Sequence, residues 1–150
     1  IAIDPASHMA YIAVLETDHL IALDLDTWET HQIRVGSTPR HVLIDPAGQY
    51  LYVSRMGANR VIKVDLATED VIGRVHTGTD PRSMALSDDG ASLYVGNYGS
   101  RTASKVRTWD MTILQTVRTG YHPIGVAYDF ATRQVWIACY SGSIKVFVDD

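Results

Sequence analysis

Apolar residues in this chain come in short bursts. Between residues 41 and 77 they form four: "HVLI" (41–44), "YLYVS" (50–54), "VIKVDL" (61–66) and "VIGRVHT" (71–77). Each is four to seven residues long and rich in Val, Ile, Leu or Tyr. Gly, Pro, Asn and Asp separate them. Such runs, bounded by turn-forming residues, predict β-strands. No stretch offers ten or more residues of helical periodicity with caps, so very little helix is expected. Strands joined by tight turns at this spacing predict an antiparallel meander.

The bursts recur. A Gly-x-x-Pro element stands at Gly36, Gly78 and Gly120, at intervals of 42 residues. The second burst of each unit begins at Tyr11, Tyr52, Tyr94 and Trp136, at intervals of 41, 42 and 42. The turn before it reads "DPAS" at Asp4, "DPAG" at Asp45, "DDGA" at Asp88 and "DFAT" at Asp129. Three landmarks agree on one period. Four antiparallel strands in roughly 40–45 residues, repeated, are the blade of a β-propeller. The predicted fold is therefore all-β. Residues 1–150 form a single propeller segment of about 3.75 blades, at roughly 1–38, 39–80, 81–122 and an incomplete 123–150. Length varies only in turns, such as the long "NYGSRTASK" (97–105) and the short "YSGS" (140–143), as a rigid blade core requires.

A ring of 3.75 blades leaves its first and last blades with bare apolar faces, on the order of several hundred Å² each. "IKVFV" would be an open edge. The chain also begins inside an apolar run without an initiator Met. We therefore expect a segment of a larger propeller, with further blades or a second chain completing the ring. A four-bladed closure is the other arrangement.

The repeated pattern resembles the YVTN-repeat β-propellers and, more distantly, the NHL-repeat propellers. It comprises Gly-x-x-Pro-Arg, a strand, Pro-x-Gly, Tyr-Val-x-Asn and a strand ending in Asp before Thr. Its best copy is "VGSTPRHVLIDPAGQYLYVSRMGANRVIKVDLATEDVIGRVHTG" (35–78), and "YVGN" (94–97) marks the next. The first and fourth units keep Tyr11 or Trp136 but lack the Asn. The resemblance implies about seven blades and an extracytoplasmic protein, periplasmic or on the surface of a bacterium or archaeon. Related propellers bind a modified haem in nitrite reductases, serve as subunits of quinoprotein amine dehydrogenases, or act as lactonases.

Composition narrows the function classes. Hydrophobic content is 46% and charged content 20%, and no apolar run is long enough for a membrane-spanning helix. The net charge of −4 argues against nucleic acid as a partner. Cys139 is the one cysteine, so neither an internal disulfide nor a cysteine-based zinc site is available. There is no Cys-x-x-Cys-His haem attachment motif, nucleophile elbow or phosphate-binding Gly loop, so no cofactor and no catalytic residue is assigned.

Repeated residues in a repeat protein are fold residues first. Pro39, Pro81 and Pro123 set the start of the inner strand. Asp4, Asp45, Asp129, Asp24, Asp65 and Asp110 are expected to cap turns as Asx residues. Arg40 and Arg82 follow the crossing prolines near the central channel, where either a structural bond or a ligand would hold them. His41 and His122 flank the same prolines at non-equivalent places, without a third residue to complete a metal site.

Sorting the turns by strand number puts Arg40, Arg55, Arg60, Arg82, Arg101 and Lys105 on one end, the top. Glu16, Asp18 and Asp80 are the acids of the top turns; the turns of the bottom hold most of the others, with Arg133 as the only cation there. The expectation is a non-catalytic scaffold or recognition module. It binds another protein or a surface glycan through top residues Arg40, His41, Arg55, Arg60, Arg82, Arg101 and His122, without a metal. The alternative is part of an enzyme or cofactor-binding propeller, lactonase-like or akin to haem or quinoprotein subunits.

Overall fold

A computed structural model describes residues 1–149. It has fifteen strands in four antiparallel sheets. Blade 1 contains β1 (Ala2–Asp4), β2 (Met9–Ala13), β3 (His19–Asp24) and β4 (Thr30–Arg34). Blade 2 contains β5 (Pro39–Ile44), β6 (Tyr50–Arg55), β7 (Arg60–Asp65) and β8 (Val71–His76). Blade 3 contains β9 (Pro81–Leu86), β10 (Ser92–Asn97), β11 (Thr102–Arg107) and β12 (Thr112–Arg118). Blade 4 contains β13 (Pro123–Asp129), β14 (Gln134–Cys139) and β15 (Ile144–Val148). Strand order within every sheet is sequence order. One 3₁₀ turn, Met56–Ala58, is the only helix among the described residues. This is the expected partial β-propeller.

The middle strands are apolar on both faces because each face meets a different blade. In β6 and β7, Leu51, Val53, Ile62 and Val64 join Tyr11, Leu20 and Ile33 of blade 1. The intervening Tyr52 and Val61 point the other way and join Met84, Leu93, Val95 and Val106 of blade 3. The third seam sets Tyr94 and Ala103 against Tyr128, Val135, Ile137 and Cys139. Two-residue periodicity thus yields two buried faces rather than one buried and one wet. The core is a row of three seams. Outer strand β4 buries only Ile33, so its other residues are free to be polar.

Polar side chains pin the seams. The Lys63 Nζ donates to the Thr108 carbonyl of the next blade at 3.1 Å and lies 3.8 Å over the Tyr50 ring. Lys105 occupies the same repeat position and reaches Asp149 of blade 4 at 2.6 Å. The placement of Lys105 in a top turn is thereby corrected. It is a strand residue of β11, with most of its side chain buried in the third seam.

At the crossings, Thr38, Asp80 and His122 adopt left-handed φ values of 57°, 52° and 52°, each just before a proline. Their carbonyls accept the amides of Met56, Tyr98 and Tyr140. His122 therefore shares a repeat position with Thr38 and Asp80, whereas His41 corresponds to Ser83. Apolar faces stay open at both ends of the row. Trp136, at the position of buried Tyr52 and Tyr94, is 42% exposed beside Ile144 and Val148.

Because the seams carry the stability, cutting into one costs far more than cutting the rim. Leu93→Ala, at a fully buried seam position, is expected to lose about 2–5 kcal/mol in urea denaturation. Leu114→Ala on exposed β12 is expected to lose no more than about 0.5 kcal/mol.

Candidate functional site

The crossings and the β2–β3-type hairpins come together at the top end, around the start of the inner strands β5, β9 and β13. These strands neighbour one another around the channel. A depression of about 240 Å³ opens at its mouth, lined by Arg40, His41, Arg82, Ser83 and Ile124. The structure thus brings together three of the residues singled out in the sequence: Arg40, His41 and Arg82.

His41 is part-buried, and its Nδ1 accepts the Met84 amide of blade 3 at 2.9 Å. Burial, followed by the positive N-terminus and Arg40, pushes its pKa below the ordinary value. Ser83, one repeat later, does the same for the next seam: its Oγ accepts the Val126 amide at 3.0 Å. Each fills a backbone bonding site where the inner-strand register shifts. In blade 4 that repeat position is Gly125, which has no side chain to offer.

Beside the mouth lies a stack that the sequence did not signal. The Arg82 guanidinium sits 3.6 Å over the Tyr98 ring. Tyr98 stacks on His122 with centroids 4.0 Å apart and planes 8° apart. Tyr121 meets His122 edge-on with centroids 3.9 Å apart, and Arg101 covers the Tyr121 ring at 4.1 Å. Tyr140 packs edge-on against Tyr98. His122 Nδ1 donates to the Tyr98 carbonyl at 3.0 Å. His122 and His41 therefore serve separate networks. Among the described residues no group of three His, Cys, Asp or Glu is placed to hold a metal ion.

Arg55 and Arg60 form a second cationic patch on blade 2. They face each other in the β6–β7 register. Arg55 donates to the Ser37 carbonyl and Oγ, and Arg60 to His76. Burial, together with Arg60 and Arg74, holds the Arg55 pKa below its ordinary value.

The two ends use charge differently. Bottom carboxylates bind turn amides: Asp24 takes those of Asp26 and Thr27, Asp45 those of Gln49 and Tyr50, and Asp65 those of Ala67 and Thr68. Asp4 and Asp129 behave likewise. The third blade departs from the expected pattern. Ser87, not Asp88, stands at the repeat position of Asp45, and Asp89 completes that turn through Ser87 Oγ. Arg107 replaces the strand-ending Asp, and Asp110 answers it with two bonds. Arg133 is thus not the only bottom cation. At the top, none of Arg40, Arg55, Arg60, Arg82 or Arg101 pairs with a carboxylate among the described residues; the recorded arginine ion pairs involve Arg34, Arg107 and Arg133.

Residues 41–112, a little under half of the chain, match the family model described as lactonase, 7-bladed beta-propeller. Hydrazine synthase from Kuenenia stuttgartiensis superposes with a TM-score of 0.91 at 20% identity, over 99% of this chain and 45% of that one. A functionally unknown protein from Desulfotomaculum acetoxidans DSM 771 superposes with a TM-score of 0.80 at 17% identity, over 98% of this chain and 53% of that one. The chain thus spans about half the length of these solved structures. No curated protein matches it in sequence. At these identities the likeness is one of fold, the β-propeller.

Turn carboxylates tuned this way set the response to acid. Hydrogen bonds from Ser7, the Thr27 amide, Ser87 and Thr132 lower the pKa of Asp4, Asp24, Asp89 and Asp129 respectively, and Arg107 lowers Asp110 to about 2. Carboxylates depressed in the fold contribute stability that is complete above their unfolded value and is lost as pH falls through the folded one. The melting temperature is therefore expected to fall as the pH is lowered from near 3.8 to about 2. Asp110→Asn should flatten the lower part of that curve, as thermal melts followed by circular dichroism would show.

Proposed function

We propose that the chain is a non-catalytic recognition segment of a YVTN-type propeller, working outside the cytoplasm of a bacterium or archaeon. Its top face holds an acidic partner, either another protein or a surface glycan. The observation that carries this reading is the unequal use of charge. Bottom carboxylates are engaged by turn amides and serve the fold. Arg40, Arg55, Arg60, Arg82 and Arg101 at the top have no carboxylate partner among the described residues, and Arg82 and Arg101 lie against aromatic rings; only Arg34 at that end pairs with an acid, Asp18. Such a face attracts anions at long range and loses that attraction as salt rises. The exposed Tyr121 beneath Arg101 and the exposed Tyr140 edge-on to Tyr98 add flat apolar area of the kind that sugar rings or protein side chains cover.

A second reading, of a lactonase-like enzyme, rests on the family match over residues 41–112. Its catalytic groups would be drawn from several blades around the channel. A visible absorption spectrum and a metal analysis separate the two. A stoichiometric chromophore or metal favours the enzyme.

The first reading predicts a specific loss. Reversing Arg55, Arg60 and Arg101 to Glu together is expected to weaken retention on immobilised polygalacturonate on the order of tenfold at low salt. The unaltered protein should elute progressively earlier as salt is raised. Equal retention of both proteins overturns the reading.

A further inference from the structure

We propose that the depression at the channel mouth between blades 2 and 3 is a site for a single oxyanion group, a carboxylate or a phosphate. This rests on the reading of the top face as anion-binding and gives it a definite seat.

The polar side chains lining the depression are all donors toward it. Arg40 and Arg82 carry guanidinium groups, which donate and never accept. The bond from the Met84 amide fixes His41 Nδ1 as an acceptor, so the proton of the neutral ring sits on Nε2. Burial keeps that ring neutral, in accord with the lowered pKa. The Ser83 oxygen accepts the Val126 amide, which leaves its own hydroxyl proton to donate. No carboxylate lines the depression. A cavity of donors calls for a ligand of acceptors, and the oxygens of a carboxylate or phosphate are such acceptors.

Two further observations show donors left waiting. Arg82 Nε is buried and has no hydrogen-bond partner. Its guanidinium is held at 3.6 Å against Tyr98, so its direction is fixed without help from an acid. Arg40 makes no hydrogen bond or ion pair among the described residues. Tyr94 Oη and Asn97 Oδ1 are the other buried side-chain polar atoms without a partner among the described residues, and neither residue lines the depression. The repeat also localises the site. Arg40 and Arg82 occupy one repeat position, and the next copy is Ile124, which closes the depression with an apolar wall. About 240 Å³ accommodates one oxyanion with a short organic stem.

The test is calorimetric titration of the full chain with inorganic phosphate and with acetate, at constant ionic strength set by chloride. Phosphate or acetate is expected to bind in preference to chloride, and which of them binds more tightly identifies the group. Arg40→Gln removes an exposed side chain without structural partners and should weaken binding by about tenfold or more, as loss of a charge-assisted bond entails. Arg82→Gln should do the same. Arg118→Gln, a top-end arginine outside the depression, should change binding by less than about twofold. In a ¹⁵N spectrum the His41 Nε2 resonance should move with saturation, and that of His122 should not. The proposal is overturned if neither anion outcompetes chloride, or if Arg118→Gln loses as much as Arg40→Gln. Failure here with polygalacturonate retention still sensitive to Arg55, Arg60 and Arg101 would remove this site and leave the broader reading standing. Phosphate binding through Arg40 together with unaltered retention would do the reverse.

Discussion

A four-stranded sheet has two faces, and one blade has no means of covering either. Everything else in this structure follows from that. Blade 2 buries Leu51, Val53, Ile62 and Val64 against blade 1, and Tyr52 and Val61 against blade 3. Neither face would stay dry alone, and together they leave the blade almost no freedom to tilt. The same constraint explains why the middle strands read as continuous apolar runs while β4, β8 and β12 do not. It also explains the open faces around Ile3 and Trp136, which are seam surfaces without a seam.

A dry seam raises the cost of every polar group it contains, so the seams select particular side chains. Lys63 crosses one to a carbonyl, and Lys105 crosses the next to Asp149. For Asp149, burial works to raise the pKa, but hydrogen bonds from Lys105 and Tyr128 prevail and hold it below its ordinary value. His41 and Ser83 fill backbone bonding sites across the inner strands. These contacts are architectural, yet they also orient the donors at the channel mouth. An imidazole pinned through Nδ1 can turn only its other nitrogen outward. The site is thus a by-product of how adjacent blades are fastened, and that makes it rigid.

The period, the strands and the turn aspartates were legible in the sequence because their causes are local. Alternation, Gly and Pro positions and Asx capping all act within a few residues. What could not be read joins residues of different blades. Tyr98 and Tyr140 share a repeat position whose earlier copy is Met56; Tyr98 meets Arg82 within blade 3, but it meets His122 and Tyr140 only once blades 3 and 4 are side by side. Lys105 looked like part of a long turn because "NYGSRTASK" is mostly polar; a lysine that reaches across a seam to Asp149 has no polarity pattern to mark it. The shift from Asp88 to Ser87 has a different origin. The 42-residue spacing from Asp45 and to Asp129 lands on Ser87, and the two aspartates that follow mask it by supplying the expected residue type one place late.

The division of charge can be weighed in the same terms. An aspartate that binds two turn amides is explained by the turn, and it would be there whatever the protein does. The arginines have no such explanation. Arg34, Arg107 and Arg133 pair with acids nearby, and their positions follow from those acids. Arg40, Arg82 and Arg101 sit where the fold asks for no cation, and Ile124 shows that the first two positions tolerate an aliphatic side chain. Holding several like charges near one another on one face opposes folding. The fold keeps them there, orients two of them on tyrosine rings and gives none of the three a carboxylate partner among the described residues, and on that asymmetry the proposed anion-binding reading rests.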